Sequence, residues 1–260
     1  MSFNFFKSTS VEFLGLSQEP PRSPWGINFG GGLNSTALII EARRRGLIPD
    51  WILFADTGSE IPGTLEHVQA MAEWCRGWAE ITVVRWIRKN GVFEPVHEHC
   101  LRTKWLPSKA YGNAGCTVKW KVHPMDKWRK GNGFQAGAYA IGYDAGEKKR
   151  IVGAKLRGDD QNFMAWMPLV AWGIDRIGCQ KIVDSAGIVV GKSSCFVCPN
   201  MTLQEWRWLK KNHPTEYKIA LEVERVAIAA GNSNSTGLIR RKNLARAMGE
   251  EGQKCGFCFT

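Results

Sequence analysis

The feature that most constrains this chain is an apolar run, Trp25 to Phe29, that stops at Gly30-Gly31-Gly32. A short run of this kind closed by glycines reads as a buried strand ending in a tight turn. Asn34 and Ser35 then lead into a stretch with Ala37, Leu38, Ile40 and Ala42 at helical spacing, closed by Gly46. The alternation continues with a strand over Asp50 to Asp56, a polar turn, a helix over about Thr64 to Ala79 and a strand over Ile81 to Ile87. Strands alternating with helices of this length imply right-handed crossovers and a parallel sheet, with ligands at the strands' carboxyl ends.

The remaining chain is less regular. Between Gly91 and Gly133 the periodicity is lost and the sequence turns basic and aromatic, and Gly137 to Tyr143 restores a strand that ends in the charged turn DAGEKKR. Phe163 to Ile188 reads as a loop followed by a helix over about Asp175 to Ser185. Thr202 to Ala230 opens with TLQEW and reads as two helices broken at His213-Pro214. The expected organisation is an N-terminal lead (1–24), an α/β domain (25–190) with a basic insertion (91–133), and a C-terminal helical segment (191–260) carrying two CxxC pairs.

With 260 residues the chain can bury a core without staples, and at 44% apolar and 23% charged residues it is neither disordered nor collagen-like. It has no basic stretch leading into an apolar run at its start and no run of the ~18 to 20 apolar residues a membrane helix needs. A soluble, cytoplasmic protein without membrane attachment is the expectation.

In a reducing compartment, paired cysteines are read first as metal ligands or redox groups. Of eight cysteines, four form the pairs Cys195/Cys198 and Cys255/Cys258, and Cys75, Cys100, Cys116 and Cys179 stand alone. Two CxxC bites make a four-thiolate set suited to a structural zinc ion or an iron–sulfur cluster, pinning the C-terminal part to the body. His97, His99 and Cys100 form a further small cluster, read as a polar loop in preference to a metal site.

The net charge is +11. From Leu101 to Lys130, eight Lys or Arg face one carboxylate, Asp126, and Trp105, Tyr111, Trp120 and Trp128 are interleaved with them. Cations track a phosphate backbone and aromatic faces stack bases, so the segment suits a nucleic-acid partner, tRNA or DNA. A smaller basic run follows at Arg240, Arg241, Lys242 and Arg246.

Residues 29–36, FGGGLNST, could cradle a phosphate, since glycines admit an anion to the backbone and helix N-terminal amides face it. The string GGGLNS resembles the SGGxDS pyrophosphate loop of the N-type ATP pyrophosphatases, the adenine nucleotide alpha-hydrolase superfamily, in the branch that contains phosphoadenosine phosphosulfate (PAPS) reductase. FADTGSEIPGT, CTVKWKVHP, AIGYDAGEKKR, PLVAWGIDR and SSCFVCPNMTLQEW resemble further segments of that branch in order.

The resemblance implies a Rossmann-like (HUP-type) parallel sheet with flanking helices and a metal-stapled C-terminal helical part. It implies an adenine nucleotide, ATP or PAPS, held by Gly30, Gly31, Gly32, Asn34, Ser35, Asp56, Thr57, Glu60, Ile141, Gly142 and Arg150. Ser35, Asp56, Lys121, Cys116 and Cys255 are the candidate catalytic residues, and Cys195, Cys198, Cys255 and Cys258 the candidate metal ligands. Gly30 stands where the loop often has Ser. Asn34 replaces the usual Asp and weakens the case for a loop-bound Mg²⁺ ion.

Three readings of function follow. The first is an enzyme that cleaves ATP to AMP and pyrophosphate to activate a nucleic-acid or nucleotide acceptor for sulfur or another nucleophile. The second is a sulfonucleotide reductase with Cys255 as nucleophile, against which Cys116-Thr117 stands in place of a CysCys pair. The third is a non-catalytic binding module. Cys116, Cys195 and Cys198 form an alternative three-thiolate set for a cluster with an open iron.

Overall fold

The computed structural model describes residues 16–107, 115–157, 162–231, 237–239 and 243–249. Its central element is a five-stranded sheet of β1 (Trp25–Phe29), β2 (Trp51–Asp56), β3 (Ile81–Arg85), β4 (Gly137–Ile141) and β5 (Phe163–Trp166), in the order β3-β2-β1-β4-β5. β1 runs parallel to β2 and β4, and β4 runs parallel to β5, with Gly26 opposite both Trp51 and Tyr139. Gly26 is required there, because a Cβ would lie 2.1 Å from the Trp51 indole. This order is that of the doubly wound nucleotide-binding folds, and the chain is α/β and Rossmann-like.

The chain divides into two compact units. The first comprises the residues up to Phe54, His67–Thr82 and Arg129–Gly191, and it holds most of the sheet. Helix α1 (Leu33–Arg44) has Thr36 through Ile40 all buried, which suits a helix covered on more than one side. With Ile27, Phe29, Phe54, Met71 of α2 (Thr64–Trp74), Trp166 and Val183 it forms one core. Helix α8 (Arg176–Ser185) is capped by Asp175, whose carboxylate accepts from Gly178 N at 2.8 Å.

The second unit comprises Ala55–Glu66, Val83–Trp128 and the residues from Lys192 onward. Its core gathers Ile61, Val96, Trp120, Val197, Trp206, Tyr217 and Val223. Thus the basic segment and the C-terminal segment, set apart in the sequence reading, share one apolar interior. Helix α3 (Val96–Thr103) is followed, beyond a stretch outside the described residues, by α4 (Gly115–Thr117). A π-helical turn (Val118–Val122) then leads into α5 (His123–Gly131).

Helix α9 (Leu203–Asn212) starts with a capping box: Thr202 N donates to Glu205 at 2.8 Å and Glu205 N to the Thr202 hydroxyl at 3.3 Å. It ends where Pro214 opens α10 (Pro214–Ala229). The buried Glu224 of α10 accepts backbone N–H groups from Leu238 at 2.6 Å and Leu244 at 2.7 Å, tying α11 (Leu244–Ala247) to the unit.

Two segments differ from the sequence reading. Lys148–Arg150, read as the end of the charged turn, instead open helix α6 (Lys148–Arg157), and the segment read as a loop before α8 contains β5 and a short helix α7 (Pro168–Ala171). β5 carries no alternation because all four of its residues are buried. Among the described residues no helix is long and apolar enough to cross a membrane.

Candidate functional site

In the first unit the strand order turns back between β1 and β4, the place where open α/β sheets bind ligands. The glycine turn lies there, at the carboxyl end of β1. Gly31 has φ +70°, a left-handed conformation that glycine adopts without strain, and Gly32 is the extended N-cap of α1. The first helical bond runs from Thr36 N to Gly32 O at 2.9 Å, which leaves the amides of the first turn without acceptors inside the helix. No acidic residue occupies that turn to offset the helix dipole.

Ser35 organises the turn. Its hydroxyl accepts from Gly30 N at 3.2 Å and Gly32 N at 3.3 Å and donates to Gly32 O at 3.0 Å. Those two amide bonds are long and neutral, and an anion offering shorter, charge-assisted bonds can take them over. Behind the turn, Thr36 Oγ1 lies 2.9 Å from His67 Nε2, and burial holds His67 below the usual imidazole range.

Gly142 closes the other side. A Cβ at this position would lie 2.8 Å from Ser35 Cα and 2.9 Å from Ser35 N, so the end of β4 passes directly against the helix start. Ile141 pairs with Asn28 across the same strands. Asn34 points to the turn after β4: its amide nitrogen donates to Asp144 at 2.7 Å and Glu147 at 3.3 Å, while Arg176 donates to its oxygen at 2.8 Å. Asp144, Glu147 and Arg176 had no role in the sequence reading. Arg150 forms an ion pair with Glu147 and stands 4.2 Å over the Tyr143 ring.

The second unit holds the remaining candidates. Asp56, buried at the end of β2, accepts from Gly58 N at 2.8 Å and from Arg85 Nε at 2.7 Å. The carboxylate thus closes an Asx turn and adds an ion pair to it. Thr57 donates to Glu60 at 2.8 Å, and Glu60 bridges to Cys195 in an isolated antiparallel step.

Cys195 and Cys198 share a turn, Cys198 N donating to Cys195 O at 3.0 Å, and both, like Cys116, pack against the edge of the second core. Burial, followed by the nearby Glu60 charge, pushes the Cys195 thiol well up. Burial and Cys198 raise Cys116, and Lys121 works against the shift at both thiols. The structure thus gathers Glu60, Cys116, Lys121, Cys195 and Cys198 within one unit. Among the described residues no three His, Cys, Asp or Glu side chains form a metal-binding group, so no step is assigned to a metal on Cys116, Cys195 and Cys198. Cys255 and Cys258 lie outside the described residues.

The HEHC cluster diverges. His97 Nδ1 is 2.8 Å from the Ser59 hydroxyl, whereas His99 Nδ1 is 2.8 Å from Glu94. Arg102 donates to both oxygens of Glu94 at 2.6 and 3.2 Å and, with the His99 bond, draws its carboxyl down to about 2 against the effect of burial. Beside them is a cavity of about 330 Å³ walled in part by Trp105, Trp120 and Lys119, which the sequence could suggest only as an aromatic and basic composition.

No family model and no curated protein matches the chain. Among solved structures it is similar to a PAPS reductase from Candida auris in a phosphate complex, at 15% identity and TM-score 0.43, over 64% of this chain and 74% of that one. It is also similar to the U34-tRNA thiolase NcsA from Methanococcus maripaludis, solved with its [4Fe-4S] cluster, at 16% identity and TM-score 0.46, over 78% of this chain and 72% of that one. The likeness assigns no reaction.

Proposed function

We propose that this protein is an adenine-nucleotide-binding enzyme that cleaves ATP between its α and β phosphates, releasing pyrophosphate and activating an acceptor as its adenylate. The observation that carries the reading is the turn Gly30–Ser35, seated at the strand-order reversal and closed by Gly142 against the backbone of Ser35. The Gly30 and Gly32 amides, the first-turn amides and the Ser35 hydroxyl would hold the pyrophosphate oxygens and take up the charge that develops as the α–β bond breaks. Ile141 and Gly142 would border the adenine, and Asp56, Thr57 and Glu60 would serve the acceptor or nucleotide chemistry.

The adenylated acceptor is a nucleic-acid or nucleotide group, and sulfur or another nucleophile then displaces AMP. Cys116 is the candidate sulfur carrier, with Lys121 favouring its thiolate. In this reading Cys195, Cys198, Cys255 and Cys258 hold a zinc ion or an iron–sulfur cluster. Metal content and visible absorption of anaerobically purified protein distinguish the two, and metal-free active protein would remove both.

The test of the main reading is product analysis. Pyrophosphate and AMP are expected from ATP, with Ser35→Ala weakening ATP binding about tenfold, the loss of roughly one charge-assisted bond. Sulfite from PAPS in the presence of a dithiol, without pyrophosphate from ATP, would replace this reading by the reductase. ATP binding unchanged in both Ser35→Ala and Asp56→Ala would dismiss the assigned site.

A further inference from the structure

The second unit contains a cavity of about 330 Å³ that no step above uses. This is the size of a small ligand site. Its walls are chiefly apolar, with the Trp105 and Trp120 rings, Leu106 and Pro107 among them, and Cys116 lies in the same lining. Trp120 is buried and fixed, its Nε1 donating to Glu94 O at 2.8 Å, while Trp105 is 49% exposed.

Among the described residues, one cation faces this space. Lys119 Nζ stands 4.1 Å from the Trp86 ring centre and 4.5 Å from that of Trp120, and 3.2 Å from His99 Nε2. With His99 assigned as the tautomer whose Nδ1–H donates to Glu94, its Nε2 accepts from the ammonium and the lysine is held in place. An ammonium held by indole faces and an imidazole retains donor capacity for one more acceptor.

Among the described residues this lining offers one ammonium and wide apolar walls, which suit a phosphate poorly. A flat ring with a carbonyl edge does: its faces meet indole, and its oxygen accepts from Lys119. We propose that this cavity binds a carbonyl-bearing nucleobase, uracil in the simplest case, turned out of a single strand whose phosphates run over the exposed Lys104 and Lys127. The base's role as the acceptor, presented beside Cys116, rests on the function proposed above. Its binding does not.

The experiment is an anisotropy titration without ATP, using an end-labelled oligouridine of about twelve nucleotides and an abasic strand of equal length and charge. The uridine strand is expected to bind about tenfold more tightly. Trp105→Ala and Lys119→Met should each reduce that ratio to about twofold or less, with the abasic strand bound as before. In the unmodified protein, the uridine strand and not the abasic one should protect Cys116 from alkylation, a readout that needs no variant to fold. Competition by free uridine monophosphate at comparable concentration would identify a free nucleotide as the source of the base, and lack of competition a strand. Equal binding of the two strands, or unprotected Cys116, overturns the proposal. Either result leaves the ATP reading intact, and absence of pyrophosphate release leaves a positive titration intact.

Discussion

The side-chain amide of Asn34 donates to the Asp144 carboxylate at 2.7 Å, and Glu147 lies 3.3 Å from the same nitrogen. This pairing gives a physical reason for an amide at a loop position where the resembling family carries a carboxylate. An aspartate there would face two acids, with Arg176 beside it and Arg150 engaged by Glu147.

Asn34→Asp should therefore destabilise the protein by about 1–3 kcal/mol at pH 8, through a lost donor and like-charge contact. The contact favours uptake of a proton, so the deficit should shrink as pH falls toward 5. Melting temperatures of the two proteins across that range provide the measurement. A pH-independent difference would mean that the carboxylates do not govern the position.

Gly142 is tested separately, because the atoms it would strike belong to the backbone of Ser35 and Asn34 and cannot rotate away. Gly142→Ala should displace the helix start, costing about 1–3 kcal/mol of stability as other overpacked sites do. It should also weaken ATP binding more than that cost accounts for. Calorimetric titration with ATP beside a thermal melt reads both, and unaltered ATP affinity would separate Gly142 from the nucleotide site.

The glycine turn, β1 to β4 and the helices α1, α8, α9 and α10 were legible because apolar spacing, caps and glycine stops all gave the same answer. Residues 91–133 were not. Helix α3 is eight residues long, and the π-helical turn at Val118–Val122 breaks the 3.6-residue period, so Trp120 falls inside while its neighbours Lys119 and Lys121 are only half-buried. Composition marked the segment as basic and aromatic. It could not show that Lys119 packs on two indoles, or that Glu94 neutralises Arg102.

Glu94 predicts an acid limit to stability. Its carboxyl is drawn to about 2 by the Arg102 hydrogen bonds and then by His99, against burial. A depressed carboxyl contributes stability above its unfolded value of about 4.3, and that contribution is lost as pH falls toward 2. His67, His97 and His99, all held low chiefly by burial, add to the same trend, since each must take up its proton at a cost below about pH 6.5. Glu94→Gln should melt lower than the parent at pH 7, with the gap closing between about pH 4.3 and 2. A gap unchanged over that window would count against the ion-pair cluster.

Cys116 and Lys121 yield a kinetic prediction. Burial and the Cys198 sulfur raise the Cys116 thiol, and the Lys121 ammonium opposes them, so the thiolate fraction depends on that lysine. Only the thiolate attacks an alkylating agent. Iodoacetamide labelling of Cys116, read by peptide mass spectrometry, should be slow at pH 7 and accelerate above the ordinary thiol range of about 8.5. Lys121→Met should move the profile further up and slow labelling severalfold at pH 8, whereas Lys121→Arg should restore it. If the methionine variant labels Cys116 at the parental rate, Lys121 does not activate the thiol and the sulfur-carrier role loses its electrostatic basis. Restoration by arginine alone would tie the effect to charge, because a packing defect at position 121 has no reason to be relieved by the bulkier cation.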